Sequence, residues 1–387
     1  MNIRAIFNTV SCFILVLILS FIFLTDTSSA NNLSKSEEWN KEGNRLYKSD
    51  NSSAAVEAYN KAIELNPQYA DAYYKRGLAY HKLGNYVKAI KDYNKAIELN
   101  PHNEKAYYKR GVAYGSLGNN QQAIKDYNKA IILKPQDEKS YVGRGAVYVS
   151  LSDYQQAIKD FNKAIELNPQ NTDIYTLRGI AYHQVGNNQQ AIKDHSKAIE
   201  LNPQNEMAYV CRGAIYIDLD NDEQVIKDYS KAIGLNPQNA EAYYYRGRAY
   251  GNLSDYQQAI KDFNKAIELN PQDAEEYYYR GRAYLFLSNY QQAIEDFNKV
   301  IELHPQDADA YADRGRAYIN LGKYQQAIKD LNKAIELNPQ DAEAYFGRGA
   351  IYGQLGNHQQ ALVDIKIASR LGDKGAQDYL RAKGIDW

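Results

Sequence analysis

The stretch DAEAYFGRGAIYGQLGNHQQALVDIKIASRL, residues 341–371, decides the fold. Asp341 suits a helix N-cap, and Glu343 falls in the first turn, where a negative charge meets the positive end of the helix dipole. Tyr345, the stem of Arg348, Gly349 and Tyr352 then recur at steps of three and four, which marks one face of a helix. Gly356 suits the left-handed residue that ends such a helix, and Asn357 suits the next N-cap. Ala361, Ile365 and Ala368 repeat the periodicity on a second helix. The stretch reads as a helical hairpin with one apolar side.

Outward from it, the hairpin repeats. The nine prolines, Pro67, Pro101, Pro135, Pro169, Pro203, Pro237, Pro271, Pro305 and Pro339, each follow the last by 34 residues. A proline lacks an amide hydrogen and disfavours helix just before it, so each LNP-type segment stops a second helix. Ten units fit, over residues 36–374, the last without its proline. The column through Asn357 is Asn or Asp in nine units, with Lys323 the exception. One such hairpin cannot cover its own apolar face, so successive hairpins must stack. The Gly77 and Ala89 columns are small where the two helices of a hairpin approach closely.

Tyr243, Gly247, Tyr250, Ala259, Phe263, Ala266 and Pro271 carry, in one unit, a pattern that resembles the tetratricopeptide repeat. Unit one keeps Trp39, Gly43, Ala55, Tyr59, Ala62 and Pro67 but has Leu46 in a tyrosine column; His195 and Val225 depart from it in units five and six. The resemblance implies an all-α solenoid of helical hairpins, wound as a right-handed superhelix with a concave groove lined by first helices. After Gly375, AQDYLRAK has the spacing of a short capping helix within 375–387, with Ile385 and Trp387 folded back on the last hairpin.

The ends and the composition bound the setting. FILVLILSFIFL, residues 13–24, follows Arg4 and precedes TDTSSA, which reads as a secretory signal over 1–30 cleaved after Ala30. The alternative is an uncleaved anchor, since residues 5–24 have roughly the length that spans a bilayer. Either reading puts the chain outside the cytosol, as an exported or membrane-anchored protein, and leaves 31–35 as a linker. A net charge of −1 supplies no basic surplus for nucleic acid. Cys211 is the one cysteine after residue 30, so no internal disulfide supports the repeats.

Tyrosine and arginine dominate the remaining signal. Of 36 tyrosines, 27 stand in four packing and turn columns. The other nine are Tyr47, Tyr69, Tyr74, Tyr108, Tyr244, Tyr245, Tyr278, Tyr279 and Tyr379. In YYYRG, residues 277–281, Tyr277 belongs to a packing column; Tyr278, about 100° round a helix, is expected to face away from the second helix. Tyr279 is expected at the edge of the same surface. The resemblance makes Tyr74, Tyr108, Tyr244 and Tyr278 groove residues, where exposed rings anchor an extended chain; the alternative is that they stack only on neighbouring first helices. On the first of these readings, Tyr244→Ala with Tyr278→Ala weakens binding and spares stability. Arg248, Arg282 and Arg316 share that face in three successive units and suit a carboxylate or phosphate, unless Glu241, Glu275, Asp309 and Asp313 neutralise them. Val142, Val149, Ile180, Val210 and Ile217 make an apolar central zone.

A second arginine column has a structural use. Arg76 to Arg348 precede the glycine in nine units, and Asp92 to Asp364 recur in the same nine; unit one has Glu42 and Ala58 instead. Pairing within a hairpin leaves no orphan, so Arg76–Asp92, Arg246–Asp262 and Arg280–Asp296 are expected as partly buried ion pairs that set the helix crossing.

Catalytic and metal signatures are not found in the sequence. The six histidines form no HExxH and no Cys/His cluster, and GxSxG, P-loop and dinucleotide motifs do not occur. The chaperone-binding type of the resembled family clamps a terminal carboxylate with Lys and Asn. Where it needs Lys, these units have Asn40, Tyr74, Tyr108 and Val142. The expected function is a non-catalytic scaffold, without cofactor or metal, that binds a peptide or partner protein. The second reading is an envelope-anchored assembly factor of a membrane complex.

Overall fold

The computed structural model describes residues 31–386, and the leader reading of residues 1–30 and the placement of Trp387 lie outside them. Twenty-one helices and no strand occupy the described residues. The chain divides into two compact units at Lys197 and Ala198.

The first unit pairs α1 (31–48) with α2 (Ser52–Leu65), α3 (Ala70–Lys82) with α4 (Tyr86–Leu99), and α5 (Glu104–Ser116) with α6 (Asn120–Leu133). It continues with α7 (Glu138–Ser150), α8 (Tyr154–Leu167), α9 (Thr172–Gln184) and most of α10 (Asn188–Leu201). The reading of 31–35 as a linker is corrected: those residues are the first turns of α1. No Pro or Gly stands there to stop the helix, and buried Ser36 donates to the Ala62 carbonyl at 2.8 Å.

The second unit holds α11 (Glu206–Asp218) with α12 (Asp222–Leu235), α13 (Ala240–Asn252) with α14 (Tyr256–Leu269), and α15 (Ala274–Phe286) with α16 (Tyr290–Leu303). Then come α17 (Ala308–Asn320), α18 (Tyr324–Leu337), α19 (Ala342–Gln354), α20 (His358–Arg370) and the short α21 (Lys374–Ala382). Asp373 caps α21, Ala376 and Leu380 are fully buried, and Ile385 packs against the core they form with Ile365 and Ala368. Tyr379 stays half exposed.

The glycine column and the aromatic column are two halves of one contact. A Cβ on Gly77 would stand 2.6 Å from the Tyr93 ring, and one on Gly281 would stand 2.9 Å from Phe297. The rings of α4 and α16 therefore press against bare backbone of α3 and α15. His195, 0% exposed, fills the same place over Gly179. Turns follow the expected chemistry unevenly. Gly356 takes φ +79°, but Ser152, Asp220, Ser254 and Ser288 also adopt positive φ. Asn357 caps α20, whereas Asn119, Asn289 and Lys323 make no side-chain cap bond.

Candidate binding face

The arginine column sits where two hairpins meet. In all nine units its guanidinium contacts the aspartate sixteen residues on at 2.6–2.7 Å, among them Arg76–Asp92, Arg246–Asp262 and Arg280–Asp296. The tyrosine three residues before each arginine lays its ring against the same cation, at 5.5 Å for Tyr73 and 5.5 Å for Tyr277. A third contact was missed by the sequence reading. Arg76 Nη1 donates to Asn60 Oδ1 at 2.7 Å, and Arg280 Nη1 to Asn264 Oδ1 at 2.6 Å, each asparagine on the preceding hairpin. The signal was present, since an asparagine follows the aspartate by two residues in most units.

These arginines are fully engaged in the framework. What remains for recognition is the face of the first helices beyond them. There the tyrosines correct the expectation. Tyr278 does not face away from the second helix: its ring centroid lies 6.0 Å from that of Phe297 on α16. Tyr74 lies 6.1 Å from Tyr93, and Tyr108 lies 5.9 Å from Tyr127, in the same arrangement. Tyr279 turns back onto the preceding hairpin and stacks on Phe263 at 6.2 Å. Tyr244 is buried at 7% exposure among Tyr245, Phe263 and Tyr279, and its hydroxyl donates to Glu275. Tyr244→Ala with Tyr278→Ala is therefore expected to cost stability, because the Tyr244 ring lies against the next hairpin and the Tyr278 ring against the second helix of its own, neither in open solvent. Burial holds the Tyr74 hydroxyl up at about 12, and pushes Tyr108, Tyr244 and Tyr278 upward as well.

The apolar zone is also partly used for packing. Val142 and Val149 lie half-buried on the core of Tyr141, Phe161 and Ile174, and Val210 and Ile217 on that of Tyr209 and Tyr229. Ile180 is half-buried too.

The short arginine ladder splits. Arg316 contacts Asp313 at 3.2 Å, and Arg282 reaches the same carboxylate at 3.9 Å. Asp313 thus neutralises part of the ladder, as the alternative reading expected. Arg248 stands instead over rings, 4.9 Å from Tyr279 and 5.7 Å from Tyr244. Arg248 and Arg282 line a 110 Å³ cleft with Asn252, Tyr256 and Phe286, whose last two rings stack at 4.8 Å. In the first unit, Tyr74 and Tyr108 line a larger cleft of 540 Å³ with Lys105, Lys109, Lys134 and Lys139.

Two further features bear on chemistry. Glu276 is buried at 4% exposure in a column that reads Glu38 in unit one and elsewhere Ala72, Ala106, Ser140, Ile174, Ala208, Ala242, Ala310 and Ala344. Its Oε2 has no hydrogen-bond partner among the described residues, and desolvation pushes its carboxyl up to about 7. Among the described residues no His, Cys, Asp and Glu converge as a metal site, and no helix is long and apolar enough to cross a membrane.

Comparison with known proteins agrees with this architecture. Residues 70–103, 104–137, 172–205, 240–273 and 274–307 match the model of the tetratricopeptide repeat. Residues 43–84, 145–186, 213–254 and 315–356 match a second model, TPR repeat, and 297–329 a third, also a tetratricopeptide repeat. Comparison with curated proteins finds no match. Among solved structures, the C-terminal part of a TPR repeat-containing protein from Cytophaga hutchinsonii is 20% identical, covers 61% of this chain and 97% of its own, and has a TM-score of 0.53; it shares the fold. YrrB, described as a TPR protein with an unusual peptide-binding site, is 26% identical over 48% of this chain and 95% of its own, with a TM-score of 0.45. A tetratricopeptide repeat protein from Parabacteroides merdae is 25% identical over 63% and 97%, with a TM-score of 0.46. With matched segments lying from residue 43 to residue 356, all of them on the paired helices, the chain belongs to the tetratricopeptide repeat family.

Proposed function

We propose that the chain is a non-catalytic interaction scaffold that binds an extended peptide or partner protein on its first-helix face, outside the cytosol. The observation that carries this reading is what packing leaves over. In nine units the framework engages one arginine, yet clefts on the first-helix face keep rings and cations that, among the described residues, no carboxylate holds within 4.0 Å: Lys109 beside Tyr108, and Arg248 beside Tyr279. Rings with polar tips and unspent cations are the groups from which peptide-binding surfaces draw affinity and orientation.

The apolar run at residues 13–24 supports placement outside the cytosol. Its extension to residues 5–24 also favours the second reading, in which the chain stays anchored as an assembly factor of a membrane complex. Amino-terminal sequencing of the protein from its native compartment separates the two: Asn31 as first residue supports the released scaffold, and a retained Met1 in the membrane fraction supports the anchored one.

Selection of a random twelve-residue peptide library on the full chain tests the binding reading. Recovered peptides are expected to compete with one another and to lose affinity when a cleft residue, Phe286→Ala or Lys109→Gln, is changed. A library that yields no specific peptide, or peptides indifferent to both changes, overturns it.

A further inference from the structure

The repeat supplies its own reference, because each column shows which residue the fold requires. The column that gives the second residue of the first helix from unit two onward is acidic in seven of ten units, as Glu37, Asp71, Asp173, Glu241, Glu275, Asp309 and Glu343. Two adjacent units invert that charge, with Lys105 and Lys139. The residue before the proline is Asn in seven units, from Asn66 and Asn100 to Asn338, but it is Lys134 between those two lysines in sequence. The fold does not need these three departures, and all three converge in space. Lys105, Lys134 and Lys139 line one 540 Å³ cleft with Lys109, Tyr74 and Tyr108.

The inversion strips Lys109 of a partner. One hairpin earlier, Lys75 Nζ lies 2.7 Å from Asp71, four residues before it on the same helix. The equivalent of that aspartate is Lys105, so Lys109 faces a like charge where its repeat-mate has a counter-ion. Among the described residues no carboxylate comes within 4.0 Å of Lys105, Lys109, Lys134 or Lys139. Burial and the Lys139 ammonium together hold Lys109 below the usual lysine range. Two carboxylates, Glu104 and Asp137, share the cleft, and Asp137 is occupied as acceptor from the Ser140 hydroxyl at 2.7 Å. Four ammoniums against two carboxylates leave the cleft positive in a chain whose net charge is −1.

We infer that this cleft is a docking site for an acidic stretch of polypeptide, held by side-chain carboxylates on Lys105, Lys109, Lys134 and Lys139 and flanked by Tyr74 and Tyr108. The inference rests on the proposed scaffold function and names the partner's chemistry. The volume admits several residues of extended chain, more than one ion requires. Lysine ammoniums are flexible point charges, suited to a run of carboxylates spaced along a backbone more than to one planar group.

The test uses the full chain and two fluorescein-labelled probes with blocked termini, octaglutamate and octaglutamine, followed by fluorescence anisotropy. Octaglutamate is expected to bind, to weaken steeply as salt rises, and to bind at least tenfold tighter than octaglutamine. Lys105→Asp with Lys139→Glu returns the residues that the column holds elsewhere; it is expected to lose at least tenfold in affinity with an unchanged or raised melting temperature. Lys134→Asn, also a return to the column, is expected to lose about threefold, roughly one exposed charge contact. The control, Lys91→Glu with Lys125→Glu on exposed faces of α4 and α6, makes the same net change and is expected to keep binding. Equal binding of the two probes, or equal loss in the control, overturns the inference. Inorganic tripolyphosphate binding tighter than octaglutamate through the same lysines also overturns it in favour of a phosphate site. If library peptides bind while octaglutamate does not, the scaffold reading stands and the acidic-partner inference falls; if no library peptide binds either, both fall.

Discussion

Arg76 joins two hairpins through one guanidinium: Nη1 donates to Asn60 Oδ1 on α2 at 2.7 Å, while Nε and Nη2 grip Asp92 on α4 at 2.8 and 2.6 Å. The same group sets the crossing inside its hairpin and the seat of the hairpin on its predecessor. A planar fork with five donors can do this where a lysine cannot. Array stability therefore depends on this junction as well as on apolar burial.

Breaking one junction should be costly and asymmetric. Asp296→Ala leaves the half-buried Arg280 cation without its carboxylate and is expected to cost about 3 kcal/mol. Asn264→Ala removes only the Nη1 contact to the previous hairpin and is expected to cost about 1 kcal/mol. Arg280→Met combined with Asp296→Leu should recover most of the first loss, because no charge is then stranded. Urea denaturation followed by helical circular dichroism measures all three; equal effects of Asp296→Ala and Asn264→Ala would contradict this assignment.

Glu276 makes a pH-dependent prediction. Its carboxyl titrates near 7 in the folded chain, above its ordinary value of 4.5, so the folded state holds the proton more tightly. Its neutral form is tolerated below about pH 4.5, and stability is lost as pH rises through 7. Glu276→Ala restores the residue common in that column and is expected to stabilise by about 1–3 kcal/mol at pH 8, with a much smaller gain at pH 5. The difference between variant and parent midpoints at the two pH values is the readout, and a gain equal at both would show that ionisation is not involved.

Two tyrosines of one column should respond oppositely to loss of the hydroxyl. Tyr93 Oη is buried with no hydrogen-bond partner among the described residues, and the column accepts Phe161, Phe263 and Phe297 elsewhere. Tyr93→Phe is expected to be neutral or to stabilise by about 1 kcal/mol. Tyr59 donates to Asn44 Oδ1 at 3.0 Å, and Tyr59→Phe is expected to cost about 1 kcal/mol. Thermal melts of the two variants give the comparison directly.

Tyr244 tests the corrected role of the triple tyrosine. Packed between Phe263 and Tyr279, it is expected to cost about 3–5 kcal/mol when changed to Ala. Tyr244→Phe keeps the ring, loses only the donation to Glu275, and is expected to cost less than half as much. A melting temperature unmoved by Tyr244→Ala would return the ring to the binding surface.

Much of this molecule was legible along the chain. The proline period, the alternation of helix faces and the shared absence of Arg and Asp from unit one are local or strictly periodic, and those determine helix limits, hairpin pairing and the partner of each framework arginine. The departures at Lys105, Lys134, Lys139 and Glu276 are equally visible once the columns are aligned. What a departure means needed the third dimension. A position on a helix specifies a direction, but whether that direction ends in water or on another ring depends on how closely the next hairpin sits. For that reason Tyr279 is found on Phe263 of the preceding hairpin, Tyr244 is buried by its successor, and Asp313 reaches two arginines of different hairpins. Spacing along one helix is a backbone property; coverage by a neighbour is set by side-chain volumes across the junction, and only tertiary packing decides it.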